Sequence, residues 1–217
     1  MIKLVMIDFD DTLCLTEKAA FEIENHIANK MGFPPMDRKT HLRNWGKPIK
    51  EAIKERIPGI NTDEFIVHWE KTLLEFVMRN EVDVISDNNY KVLDELKTFG
   101  LKLAILTSRT IGEVKHLIHI SHPLAVRIDK FYHTGNSKYM KPDPRVFDKA
   151  LHEFKVKPHE VVYVGDSLSD AVGAKAAGLH FIALLESKLR TRDDFKGLGV
   201  DFFADTFTQI INYIHKH

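Results

Sequence analysis

The sequence has little that would point to a secreted, membrane-bound or nucleic-acid-binding protein. Its 217 residues include one cysteine, Cys14, which excludes an intramolecular disulfide. No run is long and apolar enough for a signal peptide or a membrane span. Lysine and arginine total 31, as do aspartate and glutamate, so the chain lacks the basic excess that generic nucleic-acid or anionic-membrane binding needs. We therefore expect a soluble cytoplasmic protein that binds neither nucleic acid nor membranes.

Hydrophobic residues, by contrast, make up 44% of the chain, which is enough for a sizeable core. Segments with helical spacing of apolar residues alternate with short apolar runs of the kind that form buried parallel strands. This alternation predicts an α/β fold, with a parallel sheet flanked by helices. The predicted strands are 4–7, 101–106, 161–164 and 181–185, with weaker ones at 128–133 and 201–204.

Residues 16–85 interrupt the alternation, because they contain helical patterns only. Thr16 is the predicted N-cap of a first helix, a second helix lies near 48–57, and a third begins at Thr62 and carries an apolar stripe that includes Trp69. Such a stripe is typical of a helix face that packs against a core. The chain is therefore predicted to leave the sheet after residue 15 and to return to it near residue 86.

Pairs of polar side chains directly follow three of the predicted strands. The pairs are Asp8 with Asp10, Thr107 with Ser108, and Asp166 with Asp170. The carboxyl ends of parallel strands share one edge of the sheet, where ligands bind. Carboxylates gathered there repel one another and favour a bound cation, and magnesium prefers such oxygen ligands. The sequence therefore predicts a magnesium site at this edge.

Residue types that form zinc sites are present but poorly placed. His116, His119 and His122 are spaced too widely around a helix to form one metal-binding face, so we expect surface or capping roles for them. Cys14 has no histidine near it in the sequence and is interpreted as a small buried hydrophobic residue. Neither group is expected to take part in chemistry.

The polar clusters suit attack on a phosphate monoester. Because the ester's own negative charge repels nucleophiles, catalysis needs a cation, hydrogen-bond donors and a fixed nucleophile. Asp8 and Asp166, with one further oxygen near Asp10, would suit the cation. Lys141 and the Thr107 hydroxyl would face the phosphoryl oxygens.

In their order, these clusters resemble the four motifs of the haloacid dehalogenase (HAD) superfamily, across about residues 4–170. Residues 8–12, Asp-Phe-Asp-Asp-Thr, are similar to the first motif, Leu106-Thr107-Ser108 to the second, Lys141-Pro142 to the third, and residues 165–170, Gly-Asp-Ser-Leu-Ser-Asp, to the fourth. The layout is similar to the phosphoglycolate phosphatase-like branch. It implies a Rossmann-like core domain, residues 1–15 and 86–217, with an inserted all-helical C1-type cap domain at 16–85.

The resemblance also implies an activity, a cofactor and the role of each motif residue. The protein would be a magnesium-dependent phosphatase that hydrolyses a small phosphorylated metabolite. Asp8 would attack phosphorus to give an aspartyl-phosphate, and Asp10 would protonate the leaving oxygen and then deprotonate the water. The phosphoryl group would be held by Thr107, Ser108 and Lys141, and the magnesium ion by Asp8, Asp166, Asp170 and the backbone carbonyl of Asp10.

The sequence departs from the family pattern at positions that bear on the substrate. Asp11 stands where many members have glycine, and Leu15 stands where phosphoglycolate phosphatases often have aspartate, so phosphoglycolate itself is not a firm expectation. Arg43 and Lys47 lie in a glycine-centred loop, 43–48, and are candidates to meet an anionic tail of the substrate. An ordinary solvated turn is the alternative interpretation of this loop.

Two other functions stay open at the level of sequence. A sugar phosphomutase of the same fold would use the same residues without net release of phosphate. From a different class, a phosphorylatable receiver or binding module without turnover also clusters Asp, Thr and Lys on a parallel sheet, but such modules are shorter and have no cap insertion. A monomer and a homodimer both fit the sequence.

Overall fold

The structure is a computed structural model that describes residues 1–217. Its six strands are β1 (Leu4–Ile7), β2 (Lys102–Leu106), β3 (Lys130–Tyr132), β4 (Val161–Gly165), β5 (His180–Leu184) and β6 (Phe202–Ala204). They form one sheet in the order β3-β2-β1-β4-β5-β6, and every neighbouring pair is parallel. The predicted α/β fold with a parallel, Rossmann-like sheet is confirmed.

Nine α-helices complete the chain. They are α1 (Glu17–Lys30), α2 (Arg38–Leu42), α3 (Ile49–Arg56), α4 (Thr62–Met78), α5 (Asp87–Thr98), α6 (Ile111–Ile118), α7 (Asp148–Phe154), α8 (Leu168–Ala176) and α9 (Ile210–Ile214). None of them combines the length and apolar character that a bilayer crossing needs.

The central strand β1 fixes the position of the site. Ile7 pairs with Ile105 of β2 on one side and with Val164 of β4 on the other, so the three strands end at nearly the same level. The strand order also reverses here, since β2 and β3 lie on one side of β1, while β4, β5 and β6 lie on the other. Such a reversal opens a crevice at the carboxyl ends of the strands, which is where ligands bind in open α/β sheets.

Both faces of the sheet are buried, because successive side chains of a strand point to opposite faces. Val5 and Ile7 pack into a cluster with residues of α5 and α6, including Leu93. Leu4 and Met6 pack into a second cluster on the other face, with residues of α7 and α8. The loops that follow the strands are thus anchored on a rigid layer with helices on both faces.

Residues 16–85, called the helical segment below, have a hydrophobic cluster of their own. Its 13 buried residues all lie between Ala20 and Val82 and come mainly from α1, α3 and α4, with Phe65 and Trp69 among them. The segment contains no strand. We propose to treat it as a separate domain on this basis.

The predicted helix starts in this segment hold, but one of the predicted caps does not. Thr16 stands at the N-cap position of α1 without capping it by its side chain, because its hydroxyl donates to Asp10 instead. Helix α4 begins at Thr62 as predicted, and its N-cap is Asn61, whose side chain accepts from the backbone N–H groups of Asp63 and Glu64. Helix α2 was not predicted at all, because five residues are too few to show helical periodicity.

Adjacent leucines on α4 provide a test of this packing. Leu73 is 3% exposed and Leu74 is 41% exposed. Leu73→Ala should lower the free energy of unfolding by about 2–5 kcal/mol, since it removes buried methyl groups and leaves a cavity. Leu74→Ala should change it by no more than about 0.5 kcal/mol. Urea denaturation of both variants measures the difference, and equal losses would contradict the assigned orientation of the helix.

Candidate functional site

Three buried carboxylates meet at the carboxyl edge of the sheet. Asp8 directly follows β1, Asp166 directly follows β4, and Asp170 lies in the first turn of α8. One oxygen of each side chain lies within 4.8 Å of the others. The Thr12 hydroxyl also donates to Asp166 Oδ1 at 3.4 Å, which ties the first loop to the fourth.

Lys141 brings the one ammonium group into this cluster. Its Nζ lies 3.0 Å from Asp8 Oδ1 and 2.7 Å from Asp170 Oδ1, and it donates to the Tyr163 hydroxyl at 3.2 Å. Although burial lowers the pKa of Lys141, the carboxylates of Asp170 and Asp8 raise it above its ordinary value. The lysine is therefore held as a cation against the predicted nucleophile.

The carboxylate of Asp170 has hydrogen-bond donors at both oxygens. Besides Lys141, Oδ1 accepts from the Tyr163 hydroxyl at 3.0 Å, while Oδ2 accepts from the backbone N–H of Ser167 at 3.0 Å and from its hydroxyl at 2.6 Å. A Cβ at Gly165 would lie 2.6 Å from Asp170 Cγ, so only glycine fits at the end of β4. Asp170 thus orients Lys141 and the Ser167 turn.

Burial and neighbouring carboxylates raise the pKa values of two groups in this cluster. Burial, with further contributions from the Asp170 and Asp10 carboxylates, raises the pKa of Asp8 to about 8, although Lys141 acts in the opposite direction. Burial and the carboxylates of Asp170 and Asp8 also raise the pKa of Asp166 well above its ordinary value. The ionised forms of Asp8 and Asp166 are therefore disfavoured in this buried site unless a further cation lies beside them.

This donor set fits a hard divalent cation. Carboxylate oxygens are the ligand atoms that Mg²⁺ and Ca²⁺ prefer, and a cation among them would offset the excess charge. Asp8 and Asp166 have oxygens free of strong donors, whereas those of Asp170 are occupied as described. The Asp10 side chain is bound elsewhere, which leaves its backbone carbonyl as the group that could face a metal.

Asp10 is held by Arg109. The guanidinium donates from Nη2 to Asp10 Oδ1 at 2.6 Å and from Nε to Oδ2 at 3.0 Å, and the Thr16 hydroxyl donates to Oδ1 at 2.6 Å. Two further N–H groups of Arg109 bind the carboxylate of Asp83 at 2.8 and 2.9 Å. Arg109 thus links the predicted acid–base residue to the chain that joins α4 to α5.

His116 extends this chain of contacts, contrary to the surface or capping role expected for it. Its Nε2 lies 2.9 Å from Asp83 Oδ2. Although burial raises the pKa of Asp83, Arg109 brings it below its ordinary value. The sequence could not show this contact, because Asp83 reaches α6 only through the packing of the helical segment.

Thr107 and Ser108 line a small cavity that they share with Lys141, and neither of them lines the cavity over Asp8 and Asp166. Thr107 is buried, and its hydroxyl oxygen accepts the backbone N–H of Arg109 at 3.2 Å, which shapes the turn after β2. A separate cavity lies directly over Asp8, Asp166 and Lys141. It is roofed by Trp45 and Gly46 of the helical segment and by Leu189 and Arg190 of the loop after β5.

The helical segment is joined to the core by two indole N–H groups. Trp45 donates to Asp11 Oδ2 at 2.6 Å, and Trp69 donates to Glu113 Oε1 at 2.9 Å. Asp11 has φ +52°, in the left-handed region, and its other oxygen accepts the backbone N–H groups at the start of α1. Burial and the Asp10 carboxylate raise the pKa of Asp11 to about 6. Its role, open from sequence, is structural here: it bridges the two parts of the chain.

A larger cavity lies between the helical segment and the core. It reaches Asp10, Ser108 and Arg109 on the core side and Trp45 and Lys47 on the other. Lys47 is bound to Glu55 at 2.8 Å. Arg43 is exposed and lines none of the cavities described above, so the structure gives no contact between it and the site.

Some residues of this site were missed or left without a role by sequence reasoning. Arg109 directly follows the predicted pair Thr107–Ser108, and Arg190 follows β5 at the same sheet edge. The rule that polar residues after parallel strands share one edge therefore applied to both. Tyr163 lies inside an apolar strand and Asp83 inside the helical segment. Nothing in the sequence distinguished those two.

Comparison with known proteins agrees with this geometry. A family model described as haloacid dehalogenase-like hydrolase matches residues 5–184. Phosphoglycolate phosphatase of Nitrosospira multiformis is 28% identical over 227 residues, covering 99% of this chain and 96% of the relative. Glyceraldehyde 3-phosphate phosphatase of Pyrococcus furiosus is 32% identical over 238 residues, covering 99% and 94%. The structure of CbbY from Rhodobacter sphaeroides in complex with phosphate covers 97% of this chain and 96% of its own, with a TM-score of 0.81 at 23% identity, and shows the same fold.

The carboxylate cluster predicts a metal-dependent gain in stability. Mg²⁺ at about a hundredfold excess over its Kd should stabilise the protein by about 2.7 kcal/mol, because the ion binds only the folded cluster. Asp166→Asn should abolish most of the resulting rise in Tm, and Asp193→Asn, at an exposed position, should keep it. Thermal unfolding with and without Mg²⁺ measures both, and a full Tm shift in Asp166→Asn would contradict the site.

Proposed function

This chain belongs to the haloacid dehalogenase-like hydrolase family and is an enzyme that hydrolyses phosphate esters, and we propose that it does so with magnesium through an aspartyl-phosphate on Asp8. The substrate would be a small phosphorylated metabolite. The observation that carries the proposal is the position of Asp8, buried at the end of the central strand with one oxygen 3.0 Å from Lys141 and with Asp166 and Asp170 beside it.

In the first half of the proposed reaction, a carboxylate oxygen of Asp8 attacks phosphorus. The new O–P bond forms as the bond between phosphorus and the ester oxygen breaks, and Asp10 gives its proton to that leaving oxygen. Lys141, together with Thr107 and Ser108, would bind the phosphoryl oxygens and offset their charge. Asp10 is well placed for this role, since it lines both the cavity over Asp8 and the larger cavity under the helical segment.

In the second half, water attacks the phosphorus of the aspartyl-phosphate. Asp10, now ionised, takes a proton from the water, inorganic phosphate leaves, and the Asp8 carboxylate is restored. Arg109 supports this step, because its guanidinium holds the Asp10 carboxylate in one orientation.

Asp8, Asp166 and the backbone carbonyl of Asp10 would hold the magnesium ion, with Asp170 assisting from behind. When bound, the ion offsets the charge of the carboxylates and of the phosphoryl group, which lets an anionic nucleophile approach an anionic ester. The grouping of the Asp8, Asp166 and Asp170 carboxylate oxygens within 4.8 Å of one another supports this assignment.

The helical segment would act as the cap that covers the leaving group. Its Trp45 and Gly46 roof the cavity over Asp8, and the larger cavity begins at the same two residues. The named relatives act on phosphoglycolate and on glyceraldehyde 3-phosphate, which makes both esters members of the first substrate panel to be tested. Loop 43–48 stays a proposed contact with the substrate.

Replacement of the nucleophile tests the proposal directly. Asp8→Asn should abolish magnesium-dependent release of inorganic phosphate from a panel of phosphorylated metabolites, because an amide cannot form the phosphoenzyme. Asp193→Asn should leave the rates unchanged. Release that survives Asp8→Asn would rule out this nucleophile, and turnover of a sugar phosphate without net release would favour a mutase.

Replacement of the acid–base residue gives a more specific signature. Asp10→Asn should lower kcat by about 10²–10⁴-fold, and the loss should be smaller for an aryl phosphate than for an alkyl phosphate, because a phenolate leaves without full protonation. Mg²⁺ binding should persist, as measured by the Tm shift. Unchanged kcat, or equal losses for both esters, would exclude the proposed proton transfer.

A further inference from the structure

We propose that the cavity under the helical segment selects phosphate monoesters whose leaving alcohol is uncharged and largely apolar, and that it disfavours esters with a second anionic group. This inference rests on the proposed function and specifies its substrate class. It concerns the side of the site that receives the leaving alcohol, where no bound group is otherwise assigned.

The cavity is placed to receive that alcohol. It shares Asp10, Trp45 and Gly46 with the space over Asp8, so a group attached to the leaving oxygen would extend past Asp10 into it. Its atom-free space is about 550 Å³ with the open mouth included. Its apolar walls are formed by Ala20, Ile23, Trp45, Ile49, Ala52, Trp69, Leu73 and Val82.

Every cation that lines this cavity already has an acidic partner. Lys47, Arg56 and Arg109 are the three. Arg109 binds Asp10 and Asp83, as described above. The guanidinium of Arg56 is paired with the fully buried carboxylate of Glu24 through Nη1 and donates from Nε to the Asn44 side chain at 2.7 Å. Lys47 Nζ lies 2.8 Å from Glu55 Oε1.

Three acids, Asp10, Glu24 and Glu113, line the cavity together with the three cations. Glu113 lines it with no cation within salt-bridge distance, and its carboxylate accepts from the Trp69 indole and from Thr110. Asp83 and Glu55 stand behind the lining cations. A second anionic group would therefore enter a site with no free positive charge. To gain a partner it would have to displace a carboxylate from the buried pairs of Arg56 or Arg109, which would leave that carboxylate uncompensated, or compete with Glu55 for Lys47 in an exposed pair.

A cation without an acidic partner lies in the space over Asp8, not in the cavity under the helical segment. Arg190 has no carboxylate within 4 Å and lines the space over Asp8, Lys141 and Asp166, where the transferred phosphoryl group would lie. It does not line the cavity under the helical segment. The unpaired positive charge of Arg190 thus lies where the phosphoryl group would bind. The leaving alcohol would instead contact apolar residues and cations that already have acidic partners.

Two matched pairs of esters test the inference in the native protein with Mg²⁺. Each pair differs only by amide against carboxylate: glycolamide phosphate with phosphoglycolate, and 4-carbamoylphenyl phosphate with 4-carboxyphenyl phosphate. We expect kcat/KM to be at least about tenfold higher for the amide of each pair, because the carboxylate would be desolvated without a partner.

The outcomes separate the inference from the proposed function. Equal or higher kcat/KM for the carboxylates, with release still abolished by Asp8→Asn, would overturn the inference alone. Absence of Asp8-dependent release from all four esters, in protein that still binds Mg²⁺, would overturn both.

A variant that frees one cation provides the second test. Glu55→Gln removes the charge that faces Lys47, while the glutamine oxygen can still accept from Asn44. It should raise kcat/KM for the carboxylate esters by about two- to fivefold, the scale of a surface ion pair, and leave the amides unchanged. Asp63→Asn is the control, because it frees Lys50 in another exposed pair, away from the cavity. An unchanged amide-to-carboxylate ratio in Glu55→Gln, or an equal change in Asp63→Asn, would overturn the charge-balance argument.

Discussion

The repulsion among three carboxylates at one edge of a parallel sheet is the constraint on which this structure depends. Asp8 and Asp166 are held close together because the strands that they follow, β1 and β4, are buried on both faces and paired in register. Asp170 lies beside them in the first turn of α8. Lys141 offsets only part of their charge. The edge is therefore prepared for a cation and a phosphoryl group before either arrives, and the ordered core supplies that preorganisation.

The two sides of the site differ in the charges that line them. On the core side, excess carboxylate charge, Lys141 and Arg190 provide for an ion and a dianionic group. On the side of the helical segment, each lining cation is matched by an acid and much of the wall is apolar. The first environment suits the chemistry shared by esters of many kinds, whereas the second can discriminate between alcohols.

How much could be predicted from the sequence depended on the range of the interactions involved. The sheet, the interruption at 16–85 and the clustering of Asp8, Asp166 and Lys141 followed from local apolar patterns and from the rule that parallel strands share an edge. The contacts of Arg109 with Asp10 and Asp83 did not, since they join residues that are 99 and 26 positions apart. Asp11 was noticed as a departure from the family pattern, but its bond to Trp45 crosses between the two parts of the fold and has no local signature.

The two indole–carboxylate bonds have an optical consequence. The chain contains only two tryptophans, both in the helical segment, and each donates its N–H to an acidic side chain of the core. Any movement that lifts the segment from the sheet would break both bonds and change the surroundings of two indoles at once. The intrinsic fluorescence of the unlabelled protein is thus a built-in reporter of how closely the segment covers the site.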